Sequence, residues 1–269
     1  MTEFTELWPG GPRYAQAYHF PLGTDSVLLA DFVPLAGAKR GVDLGCGGGV
    51  LTLLLLARSD KLSMTGLEIL PAAAKRAEEN LRENGLEDRG RVVCGDIRGV
   101  RALFEAGAFD LVVANPPFFP RGSGALPRDP ERAAARAEAS CTLDELCAAA
   151  ARLCRTGGRF CLVHRPERLS EVFVAMSAHG LEPKRLRFVC ARAGAVPSLA
   201  LIEGRRGAAP GLTVEPTLLL EDENGAESAE LRRISMGSTM RPSSSTFLTI
   251  PVDFIKKLLP VCSAPAASL

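Results

Sequence analysis

The chain has 269 residues, 46% hydrophobic and 23% charged, which allows one large domain with a full core and excludes a disordered protein. A formal net charge of +1 excludes a uniformly basic nucleic-acid clamp, so any RNA contact must come from local clusters of Arg and Lys. The opening MTEFTELWPG lacks the pattern of a secretion signal, and the most apolar run, Val50 to Ala57, is far shorter than the ~20 residues of a membrane span. We therefore expect a cytoplasmic protein with no membrane contact. None of the eight cysteines forms a C-x-x-C pair, and most fall within predicted helices or strands, so buried, reduced thiols are expected. The three histidines are scattered, and no metal site is expected.

Strands and helices alternate through the middle of the chain. The predicted strand Arg40–Leu44 runs into a glycine-rich turn and the helix Val50–Arg58. Strand Leu62–Glu68 precedes helix Pro71–Glu83, which opens on a proline and closes at Gly85. Strand Arg91–Cys94, a short helical stretch Arg98–Glu105 and strand Asp110–Ala114 follow. Helix Leu143–Leu153 carries a capping box, Thr142 with Glu145, before strand Arg159–His164 and helix Glu167–His179. Strands Arg185–Ala191 and Ser198–Glu203 then follow each other with no helix between, which predicts a hairpin. The repetition gives a mostly parallel sheet covered on both faces, with an antiparallel strand introduced at the end. Leu212–Leu220 predicts one more strand. We expect a single domain over residues 1–233 and a separate tail over 234–269.

Asp43-Leu44-Gly45-Cys46-Gly47-Gly48-Gly49 lies where a strand turns into a helix, so the glycines let a ligand approach the main-chain N–H groups. The spacing is G-x-G-x-G, with Val50 where the dinucleotide pattern has its third glycine. Such a loop suits an adenosyl group with an amino-acid tail better than a pyrophosphate. Glu68, at the end of the second strand, can accept both ribose hydroxyls. Asp96, followed by Ile97 after the third strand, can take an adenine amino hydrogen. Each feature alone has an ordinary reading as a tight turn or a solvated acid; their order on successive strands favours a ligand site.

The fourth strand ends in Asn115-Pro116-Pro117-Phe118, at the edge of an α/β sheet where ligands bind. The Asn115 side-chain carbonyl and the Pro116 main-chain carbonyl are paired acceptors for an –NH₂ group, and Phe118 is a face for a planar substrate to stack on. Two acceptors on its hydrogens draw a conjugated nitrogen toward tetrahedral geometry and free its lone pair, so orientation and electrostatics do the work.

This order of motifs resembles the Rossmann-like class I amino-methyltransferases, a fold with a seven-stranded sheet and a C-terminal antiparallel hairpin. Phe20–Ala30, Ala135–Glu138, His164–Leu169, Glu182–Arg185 and Leu199–Gly204 make it similar to the bacterial tRNA adenine-N6 methyltransferases that act beside the anticodon of a valine tRNA. The resemblance implies S-adenosyl-L-methionine as cofactor and tRNA as partner. It implies cofactor contacts at Asp25, Asp43, Gly45, Cys46, Gly47, Gly49, Glu68, Asp96, Ile97 and Asn115, with catalysis at Asn115 to Phe118. Arg121 and Arg136 beside the catalytic loop, and Lys184, Arg185, Arg205 and Arg206 after it, are the candidate RNA contacts. Glutamine-N5 protein methyltransferases and rRNA guanine-N2 methyltransferases share the Asn-Pro-Pro-aromatic logic but carry further upstream domains. A cofactor-binding module without turnover is a third alternative, against which the intact Asn115–Phe118 argues.

Overall fold

A computed structural model describes residues 3–17, 23–116 and 141–236 of the chain. A two-stranded ribbon, β1 (Thr5–Glu6) and β2 (Arg13–Tyr14), leads to α1 (Thr24–Phe32). The alternating core follows: β3 (Arg40–Leu44), α2 (Val50–Arg58), β4 (Ser63–Glu68), α3 (Pro71–Glu83), β5 (Gly90–Cys94), α4 (Val100–Leu103) and β6 (Phe109–Ala114). After α5 (Leu143–Leu153) come β7 (Cys154–His164), α6 (Leu169–Ala178), β8 (Leu181–Cys190) and β9 (Leu199–Arg206). The chain then adds β10 (Thr213–Val214), β11 (Leu218–Leu219) and α7 (Ala229–Ser235).

The main sheet runs β10-β8-β9-β7-β6-β3-β4-β5, with β11 beside β8. Strands β3 to β7 pair in parallel, whereas β9 pairs antiparallel with both β7 and β8. Both expected features, the parallel sheet and the hairpin at its end, are present. The seven expected strands are β3 to β9, and the main sheet has two more, nine among the described residues. The surplus is β10 and β11, which share the outer edge of β8. They replace the single strand expected over Leu212–Leu220, because Pro216 between them has no N–H for a continuous ladder.

Leucines fill both sides of the sheet. Leu51 and Leu53 to Leu56 of α2 pack on one face with α1, and Leu146, Ala150 and Leu153 of α5 pack on the other. The α5 capping box forms as expected, Thr142 Oγ1 accepting from Glu145 N and Glu145 Oε2 from Thr142 N. A division after residue 233 would cut through α7, whose Leu231 and Ile234 are both buried. The seven cysteines among the described residues are free thiols, and five are buried; Cys94 is exposed. No helix of the described residues is long and apolar enough to cross a membrane.

Candidate active site

The sheet changes direction of growth between β3 and β6, since β4 and β5 extend it on one side and β7, β9 and β8 on the other. Ligands of open α/β sheets bind in the crevice at the carboxyl ends of the strands at such a point. Leu44 ends β3 there and Ala114 ends β6, which brings the glycine loop and Asn115 to the two sides of one crevice.

Gly45, Gly47 and Gly49 all adopt positive φ, of 75°, 55° and 80°. At Gly48 the requirement is space, because a Cβ would lie 2.6 Å from the Tyr14 hydroxyl oxygen. The loop does not offer its N–H groups outward as expected. Gly45 N and Cys46 N both donate to Leu67 O, Gly47 N donates to Glu68 Oε2 at 2.9 Å, and Gly49 N donates to Cys46 O. With these donors consumed, the loop is a poor pyrophosphate cradle. Gly45 is exposed, and a methyl group on its Cα would meet nothing nearer than Ile97 Cδ1 at 3.9 Å, which leaves a slot open to a flat ligand.

Two buried carboxylates support the loop. Glu68, 3% exposed, accepts from Gly47 N with one oxygen and from Leu70 N with the other, both at 2.9 Å. Burial raises its pKa, while the N–H groups of Leu70 and Gly47 lower it. Asp43, 1% exposed, accepts from Thr52 Oγ1 at 2.9 Å, which ties β3 to α2. Burial pushes Asp43 up to about 7, and the neighbouring Glu68 charge adds to the rise. Among the described residues, no Lys or Arg is one of the groups that shift either acid. Such a pocket favours a ligand that brings its own positive charge.

Cys46 follows Gly45 in the loop. Its thiol is buried and turned into the sheet, against the position where Gly66 would carry a Cβ, so only its main chain borders the loop. Asp43 likewise holds the helix and loop in place through Thr52. Asp96 accepts from Arg98 N at 2.8 Å and pairs with the Arg98 guanidinium, which lowers its pKa. Asp25 lies in the first turn of α1; burial raises its pKa and the Arg165 charge opposes the rise. Pro117 and Phe118 lie outside the described residues, as do Arg121 and Arg136.

Three of the remaining basic candidates, Lys184, Arg185 and Arg206, are engaged within the protein. Arg185 pairs with Glu203 at 2.5 Å and Glu215 at 2.7 Å, and its guanidinium lies over the Phe32 ring. Lys184 Nζ donates to Ala209 O at 3.1 Å, and Arg206 donates to His179 O. Arg205 pairs in register with Arg159, and Arg206 with Leu181, toward the amino ends of β7 and β8 and away from the crevice. Adjacency in sequence placed these residues in one cluster; the antiparallel run of β9 carries Arg205 and Arg206 away from Asn115.

Two residues not assigned a role from the sequence complete the site. Asn80, fully buried on α3, accepts from Ala15 N and donates to Ala15 O and Gly48 O, all within 2.8–2.9 Å. It thereby clamps the segment after β2 over the glycine loop. A polar residue on the stripe formed by Ala73, Ala77 and Leu81 was the available signal. Ser26 of α1 accepts from Asn115 Nδ2 at 3.0 Å, a contact across 89 positions that no local pattern announces.

A Rossmann-like sheet whose crevice combines a G-x-G-x-G loop, buried acids without cations and a strand-end Asn-Pro defines an S-adenosylmethionine-dependent methyltransferase. The model of the methyltransferase small domain matches residues 21–178, and the chain belongs to that family. It is 34% identical over 210 residues to the tRNA1(Val) (adenine(37)-N6)-methyltransferase of Tolumonas auensis, covering 78% of this chain and 85% of that protein. The enzyme of the same name from Dickeya chrysanthemi is 35% identical, with 69% and 73% covered. Among solved structures, a predicted O-methyltransferase from Agrobacterium tumefaciens has the same fold at 22% identity and a TM-score of 0.65, covering 79% of this chain and 96% of that one.

Proposed function

We propose that this protein methylates the N6 amino group of an adenine in tRNA, beside the anticodon of a valine tRNA, in the cytoplasm. One observation carries the reading: Asn115 and Pro116 close the central strand β6 beside the glycine loop of β3. That juxtaposition puts two carbonyl acceptors next to a cofactor slot. The relatives named for adenine-N6 methylation of tRNA direct the choice among nitrogen substrates.

When bound, S-adenosylmethionine supplies an electrophilic methyl group on a sulfonium. Gly45 and Ile97 border the slot for its adenosyl part, with Glu68 and Asp96 as hydroxyl and amine acceptors. The Asn115 side-chain carbonyl and Pro116 O hold the two hydrogens of the target amine and keep its lone pair directed into the crevice. Proton loss from the amine needs no strong base, and Asn115 serves by orientation. Phe118 is proposed to stack on the adenine ring. For the RNA backbone, Arg192, exposed in the β8–β9 turn at the crevice end of the sheet, is our foremost candidate, together with Arg121 and Arg136.

Mass spectrometry of nucleosides from tRNA incubated with the protein and labelled cofactor tests the proposal. N6-methyladenosine is the expected product. Labelled N2-methylguanosine, or label confined to a protein glutamine, would replace the adenine reading.

A further inference from the structure

The crevice contains one hydrogen bond between the catalytic strand and a helix that carries no reacting group. Asn115 Nδ2 donates to Ser26 Oγ at 3.0 Å. Ser26 is 5% exposed and sits near the start of α1, which packs against α2, β7 and β9. The serine oxygen is therefore held by a rigid helix rather than by a loop.

The two ends of an Asn side chain have nearly the same shape and opposite chemistry. The –NH₂ end only donates, and the carbonyl end only accepts. A target amine offers hydrogens, so it can be received only by the carbonyl end. A serine hydroxyl can accept or donate, so what the contact with Ser26 fixes is the rotamer of the Asn115 side chain. With Nδ2 committed to Ser26, Oδ1 is left for the crevice.

We propose that Ser26 is a positioning residue that anchors the Asn115 side chain at the crevice, with Oδ1 facing the target amine. This rests on the amine-methylation reading above. Ser26 itself touches no reacting atom. Its effect is on the fraction of Asn115 side chains poised correctly, so it acts on turnover and leaves cofactor and RNA affinity alone.

Single-turnover methyl transfer to tRNA should be measured for the parent, Ser26→Ala, Asn115→Ala and the double variant, with melting temperature and cofactor Kd recorded for each. Ser26→Ala should slow transfer about three- to tenfold, the worth of one neutral hydrogen bond, with KM for tRNA and cofactor Kd within about twofold of the parent. Asn115→Ala should slow it about 10²–10³-fold, and adding Ser26→Ala should cost nothing further. Ser26→Gly, which removes the hydroxyl without placing a methyl beside the amide, should match Ser26→Ala. Parental rates in both Ser26 variants, or an additional loss in the double variant, would overturn the proposal. The side-chain –NH₂ resonances of Asn115, assigned by their absence in Asn115→Ala, should move in Ser26→Ala without any RNA present. Unmoved resonances would overturn it as well. Failure of the parent to methylate any tRNA would sink the parent reading instead, while the resonances still judge the Ser26–Asn115 pair.

Discussion

Glu68 and Glu203 are both strand carboxylates with almost no exposure, 3% and 2%, yet their surroundings give them opposite roles. Glu203 lies between the guanidiniums of Arg185 at 2.5 Å and Arg159 at 3.6 Å, and Arg185 continues to Glu215. Its charge is answered inside the protein. Glu68 is held by the N–H groups of Gly47, Leu70 and Ile69, and burial raises its pKa with no side-chain cation among the described residues to offset the cost. A buried acid enclosed by arginines fastens strands together. One held by backbone donors alone, at the carboxyl end of a strand, is prepared for a ligand.

The largest effect expected from this contrast is on folding. Glu203→Ala leaves two partly buried guanidiniums facing each other and should lower unfolding free energy by about 3 kcal/mol or more. Denaturant titration measures it, and cofactor affinity by calorimetry should stay at the parental value. A variant of parental stability would show that the arginines are solvated well enough to dispense with Glu203.

Glu68→Ala should behave the other way, weakening S-adenosylmethionine binding by about 1.5–3 kcal/mol, the worth of hydrogen bonds to a charged group. It also frees Gly47 N, so Glu68→Gln, which keeps an acceptor for that N–H, should bind more tightly than Glu68→Ala. Equal affinities for all three proteins would make Glu68 a loop fastener with no ligand role.

A smaller effect concerns pH. Asp43 titrates at about 7 in the folded chain and from 3.8 without the fold, so the native state holds the extra proton between those values. The stability linked to this proton is complete below the lower value and is lost as pH rises through about 7. Asp43→Asn cannot titrate and still offers Thr52 an acceptor. The variant should therefore gain on the parent steadily from pH 4 to pH 8 in thermal melts; a constant difference across that range would refute the shift.

The smallest effect is expected where sequence alone placed RNA contacts. Replacing Arg205 and Arg206 with Gln should change tRNA affinity less than about twofold, since both lie toward the amino ends of the parallel strands. Arg192→Gln should reduce the salt slope of tRNA binding by about one. Reversal of the two results would return the RNA face to the far end of the sheet.

Local rules carried much of the architecture. Alternating strand and helix patterns, Pro71 and Gly85 around α3, and the Thr142–Glu145 box are properties of short segments, and the elements formed where those segments lie. The glycine loop, Glu68, Asp96 and Asn115 were legible for a related reason: in a parallel sheet every strand ends at the same edge, so motifs spaced along the chain converge. The split of the last edge into β10 and β11 at Pro216 was also present in the residues, though masked by the apolar run around it. Partners distant in the chain were not legible. That Arg185 pairs with Glu203, that the Cys46 thiol lies against Gly66 and that Asn115 meets Ser26 all depend on contacts between separate elements. Tertiary structure decided those, because a side chain's partner is set by the register and packing of strands and helices far apart in the chain, and the sequence specifies that only through the fold as a whole.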